Sequence, residues 1–161
     1  MIVLLTALLA GCASQQPRFD TSKLNVTLTP QQAAADSAAG GQRVLWGGTV
    51  INASNLADAT QLEVLAYPLD EDQRPMTDRN PLGRFLVVKE GYLETADYGP
   101  GRLVTVAGTI DGTNEGKVGQ ARYTYPVVRA EDLQLWSREP RYRGSVQPRF
   151  GVGIGIGIGI D

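Results

Sequence analysis

Cys12 is the only cysteine in this 161-residue chain, and there is no histidine to activate it. Without His there is no His-assisted triad, and a lone Cys makes neither a zinc set nor an internal disulfide. Carboxylate chemistry is what the composition leaves. The densest acidic run is Asp70-Glu71-Asp72. A calcium loop starting at Asp70 needs Gly at its sixth position and Glu at its twelfth, and it meets Pro75 and Pro81. The run therefore reads as a solvated turn, with Arg74 and Arg79 offsetting its charge. Glycoside hydrolysis needs two carboxyl groups roughly 5 to 9 Å apart. Glu63, Glu90, Glu94 and Asp97 supply the groups, but nothing in their spacing selects a pair. The reading is that the protein is not an enzyme, with no catalytic residue, metal ligand or cofactor assigned. A net charge of −2 and a pI near 5.2 give no global attraction for a phosphate backbone, so nucleic acid is not an expected partner. Trp46, Tyr92, Tyr98, Tyr123 and Tyr125 offer stacking surfaces for a saccharide or small amphiphile, or ordinary core and cross-strand packing.

The chemistry open to Cys12 depends on what precedes it. Residues 1–10 are apolar apart from Thr6, and the run ends in Gly11-Cys12 before turning polar. It falls short of the roughly 20 residues a spanning helix needs, and it fits the apolar stretch of about 7 to 15 in a secretory signal. Leu9-Ala10-Gly11-Cys12 resembles a bacterial lipobox, cut before a cysteine that carries a diacylglycerol thioether. The first basic residue is Arg18, so a start codon upstream of Met1 is expected. Each buried CH₂ contributes about 0.8 kcal/mol, and two or more chains hold a protein stably on a bilayer. The expected partners are outer-membrane lipid, through acylated Cys12, and the maturation and sorting machinery of lipoproteins; an envelope protein or saccharide partner is left unidentified. Ala13, where inner-membrane lipoproteins tend to carry Asp, points to the outer membrane and a periplasm-facing domain.

The remaining elements must carry this anchor. Residues 1–11 are read as a signal peptide and 12–28 as a lipidated tether of about 15 residues, reaching at most some 50 Å. Thr29 then caps a short helix, with Pro30 at its first position, Gln32 completing a capping box, and Gly40-Gly41 as the stop. Five β-rich runs follow, at 44–52, 61–69, 84–89, 102–111 and 118–128. Val104, Val106, Gly108 and Ile110 share one face of the fourth; Ala121, Tyr123, Tyr125 and Val127 share one face of the fifth. Residues 111–116 read as the turn of a hairpin between them, and 133–136 as a short closing strand. Glycines inside strands at Gly47, Gly48 and Gly108 permit the curvature of a barrel. The fold expected is all-β: a five- to six-stranded antiparallel OB-like barrel with a short N-terminal helix, its domain running from 29 to 136, with a small open sandwich as the second choice. Residues 137–161 form a tail of net charge +2, with Arg138, Arg141, Arg143 and Arg149 ahead of a Gly-Val/Gly-Ile repeat. It reads as a flexible extension able to touch anionic headgroups.

Trp46-Gly47-Gly48, Thr60-x-Leu62-Glu63-Val64, Tyr67-Pro68-Leu69-Asp70, Gly83-Arg84-Phe85, Val104-Thr105-Val106-x-Gly108, Tyr123-x-Tyr125-Pro126-Val127-Val128 and Leu135-Trp136 together resemble the Slp family of outer-membrane lipoproteins. The resemblance spans roughly 29–136. It implies an envelope setting and a starvation or stress context, and it brings no catalytic residues. The leading reading is a non-enzymatic, lipid-anchored envelope protein. The alternative is a binding module whose barrel holds a saccharide, lipid fragment or small metabolite.

Overall fold

The computed structural model describes residues 19–137. Leu9, Ala10, Gly11, Cys12 and the segment 138–161 lie outside the described residues. Five strands, β1 (Arg43–Asn55), β2 (Ala59–Tyr67), β3 (Arg84–Glu90), β4 (Leu103–Val118) and β5 (Ala121–Leu135), close one barrel in the order β1-β2-β3-β5-β4. The all-β barrel with its short helix is the fold the sequence called for. Its seams are not all antiparallel, however: β3 and β5 run parallel, with Leu86 opposite Val127 and Val88 opposite Arg129. The reason is parity. A closed ring with an odd number of strands cannot reverse direction at every seam, so one must be parallel.

Strand β2 shows period two in its simplest form, with Thr60, Leu62, Val64 and Ala66 buried and the residues between them half-buried. Leu62, Val64 and Ala66 join Val44, Trp46, Val50, Phe85, Val87, Val104, Val106 and Val128 in filling the barrel. Trp46 meets Phe85 edge-on, centroids 5.2 Å apart, and donates its indole N–H to the Leu28 carbonyl at 2.7 Å. Closure demands glycine at two points. A Cβ on Gly48 would lie 1.9 Å from the Leu65 carbonyl oxygen, and one on Gly108 would lie 2.2 Å from that of Arg129.

The sequence placed a turn at 111–116, but β4 runs on to Val118 and the chain reverses at Gly119-Gln120. Asp111-Gly112 is instead a bulge: the register slips between Ile110 and Thr113, and Gly112 supplies φ 87°. A second slip lies between Ala107 and Gly108, so the run at 133–136 is no separate strand; residues to Leu135 continue β5. These slips also change which residues of β5 face inward. Val128 and Ala130 enter the core cluster, while Tyr123 and Tyr125 meet each other at a 58° tilt, ring centroids 4.7 Å apart, outside that cluster.

Helix α1 (Pro30–Ala35) has the expected capping box, with Thr29 Oγ1 accepting from the Gln32 amide at 3.2 Å and Gln32 Oε1 accepting from the Thr29 amide at 2.9 Å. It ends at Asp36, ahead of Gly40, because the Asp36 carboxylate accepts from the Ala38 amide and starts a 3₁₀ turn, Ser37–Ala39. Ala33 and Ala39 join the core.

Candidate functional site

The first halves of β1 and β4, 44–48 and 104–108, are buried on both faces, and what covers their outer face builds the site. Leu45 and Ala107 point away from the barrel and pack with Phe19, Leu24 and Leu69 in a second apolar cluster. Phe19 is 7% exposed, and its backbone is held by one side chain. Gln73 Oε1 accepts from the Phe19 amide at 2.8 Å, and Gln73 Nε2 donates to the Phe19 carbonyl at 2.9 Å. Asn25 continues the attachment by pairing with Val44, its amide bonded to the Arg43 carbonyl at 2.7 Å. The described part of the segment read as tether, 19–28, is therefore laid against the barrel.

Between that segment and the β2–β3 loop runs a groove of about 600 Å³. Leu45, Trp46 and Gly47 of β1 and Ala66 and Tyr67 of β2 form its floor. Residues 26–30 make one wall, and Pro68, Leu69, Asp70, Glu71 and Gln73 the other. The loop wall is rigid at its acidic turn. Asp70 Oδ1 accepts from the amides of Asp72 and Arg74, at 3.0 and 2.8 Å, so its carboxylate builds the loop. Gln73 sits at φ 65°, and its carbonyl accepts from Thr105 Oγ1 at 2.7 Å. Thr105 Oγ1 also accepts the indole N–H of Trp136 at 3.0 Å, and the Arg74 guanidinium lies over that indole at 5.3 Å. Loop, N-terminal segment and the last described residues thus meet over one face. The sequence offered no signal for this, because Gln73 and Phe19 lie 54 residues apart.

The carboxylates considered for hydrolysis are scattered. Glu63 sits on the outer side of β2 in an ion pair with Arg84 at 2.6 Å, and Tyr125 donates to it at 3.3 Å. Glu90 is four ladder positions away from Glu63's partner on β3, roughly 13 Å along the strand, outside the range for a catalytic pair. Glu94 accepts from the Ala96 amide in its own turn, Asp97 is exposed, and neither borders the groove. Burial, followed by the Glu63 charge, pushes the Tyr125 hydroxyl above its ordinary value, and burial does the same to Tyr98.

The aromatic residues do not form one platform. Trp46 is in the core, Tyr98 packs against it, Tyr123 and Tyr125 lie on the outer face, and Tyr92 stands 67% exposed with its hydroxyl donated to the Ala57 carbonyl. Among the described residues no group of three or more potential metal ligands converges, and no helix is long and apolar enough to cross a membrane.

A small closed all-β barrel with an N-terminal segment strapped to its outer face is the class these features define. The sequence profile of the outer membrane lipoprotein Slp family matches residues 9–153, and the chain belongs to that family. It is 31% identical over 144 residues to the outer membrane protein Slp of Escherichia coli strain K12, covering 84% of this chain and 73% of that one. It is also 31% identical over 134 residues to the uncharacterized lipoprotein YeaY of the same organism, covering 80% and 67%. A relative from Haemophilus influenzae, an uncharacterized protein, is 30% identical over 135 residues, covering 83% and 73%.

Proposed function

We propose that this protein is exported, cut before Cys12, acylated there, and held on the outer membrane with its barrel facing the periplasm, where it has a non-enzymatic, stress-related role in the envelope. The observation carrying the reading is Leu9-Ala10-Gly11-Cys12 at the end of an apolar run, at the point where the family match begins. Phe19 adds a spatial consequence. Because it is fixed on the barrel, only seven residue steps separate Cys12 from the folded domain, a reach of at most about 25 Å, half of what the full tether would allow. The barrel is then a close neighbour of the headgroup layer. Mass analysis of cell-derived protein tests the anchor. A mature chain beginning at a triacylated or diacylated Cys12 is expected, with Cys12→Ser released to the soluble fraction; an unmodified thiol with residues 1–11 attached overturns it.

The groove favours a second reading, a binding module for a saccharide, lipid fragment or small metabolite. Its volume lies in the usual range for small-molecule sites, and Tyr67 and the threonines at 21, 27 and 29 provide polar and aromatic contacts. Titrating the full chain with cell-wall and lipopolysaccharide fragments separates the two. Saturable binding lost on Tyr67→Ala supports the module, and no binding leaves the anchored envelope role.

A further inference from the structure

We infer that the groove's own occupant is the arginine-rich segment 138–150 of the same chain, docked in cis against the acidic turn of the β2–β3 loop. This does not rest on the lipid anchor. Trp136 determines where the segment begins: its indole is bonded to Thr105 and lies under Arg74, one residue layer from Gln73 and Gly47, both of which line the groove. From there, fourteen residues reach Phe150, a span of up to about 46 Å, so no part of the groove is out of range.

Charge gives the direction. The loop 68–83 carries Asp70, Glu71, Asp72 and Asp78 against Arg74 and Arg79; of its exposed acids, Glu71 lines the groove and Asp72 lines the adjoining hollow that shares Leu69, Asp70 and Glu71 with it. The segment carries Arg138, Arg141, Arg143 and Arg149 against Glu139. Composition fits the floor as well. Tyr142, Val146 and Phe150 alternate with the arginines, and the groove offers Leu45, Leu69, Leu82 and the half-exposed Val26. A weak contact suffices, because a short tether holds the segment at an effective concentration on the order of millimolar.

A spin label distinguishes the alternatives. In the chain carrying Cys12→Ser, a single cysteine introduced by Ser145→Cys is labelled, and amide signals of Val26, Thr27 and Glu71 are read by NMR. Those signals are expected to lose most of their intensity at low salt. They should recover at about 1 M salt, where the screening length falls to about 3 Å. Glu71→Lys with Asp72→Lys should release the segment, and adding Arg141→Glu with Arg143→Glu should restore the contact. Both acids are exposed, and Asp70, which builds the turn, is left in place. Undiminished signals overturn the proposal and leave the groove open to another ligand. Attenuation indifferent to the charge reversals also overturns it. Attenuation seen only when labelled and isotope-enriched molecules are mixed assigns the groove to a second copy and overturns the cis arrangement.

Discussion

The two ends of strand β4 obey different physics. From Val104 to Ile110 nearly every side chain is buried, the inward ones in the barrel and the outward ones beneath Phe19, Gln73 and Trp136. From Asp111 to Lys117 the same strand projects with its partner as a hairpin, and its residues are mostly exposed. Strand pairing with β5 is found in both, on either side of the bulge at 111–112. Backbone pairing is therefore common to the two ends, and side-chain burial distinguishes them. Substitutions in the covered half should be costly, and those in the projecting half should be mild.

The largest effect is expected at the seam. Gly48→Val would drive a side chain into the Leu65 carbonyl, and a loss of about 3 kcal/mol or more should appear as a much lower urea midpoint or as failure to fold. A near-neutral result would show that β1 and β2 can separate without opening the barrel. Gln73→Ala comes next. It removes the two bonds to the Phe19 backbone, and about 2 kcal/mol should be lost, with new protease cleavage within 19–28. If cleavage stays absent, apolar packing of Phe19 alone holds the segment.

Tyr125 lies at the boundary of the two regions, resting on Gly116 of the hairpin and bonded to Glu63 of the barrel. Tyr125→Phe should cost roughly 1 kcal/mol at neutral pH. Because the folded state holds its hydroxyl protonated, its contribution is complete below the ordinary value of about 10 and is lost as pH rises through the folded value. Urea midpoints compared at about pH 9 and about pH 11 should therefore fall less in the variant than in the parent.

Glu131 should matter less. Arg43, and after it Thr109, hold its carboxyl below the ordinary value, so its contribution is present above about pH 4 and disappears as pH falls through the folded value. The pair is well exposed, and Glu131→Gln should change stability by less than about 0.5 kcal/mol. The smallest effect is expected from deleting residues 151–161. Thermal unfolding should be nearly unchanged, and a loss of several degrees would mean that the Gly-Ile repeat packs on the domain.

Much of the barrel was legible in the chain because its signals are local. Alternation in β2, the capping box at Thr29 and the strand glycines depend only on near neighbours along the sequence. The misread positions have a shared cause. Asp111-Gly112-Thr113-Asn114 has turn chemistry, yet the same positive φ serves a bulge when a partner strand is already committed on both sides. Residues 19–28 lack period and charge pattern, so nothing local showed that Phe19 and Asn25 are fastened to the barrel. The candidate site was less legible still. Its floor reads as ordinary strand, and its walls come from segments that meet only after folding.

By itself the sequence determined the all-β class, the capped helix, the approximate place of the strands and the family, since side-chain size, branching and spacing act over a few residues. Tertiary structure alone decided which seam is parallel, which face of β5 enters the core and where the groove opens. Those choices depend on closing a ring between residues far apart in the chain, where a contact becomes favourable only after its neighbours have been brought together.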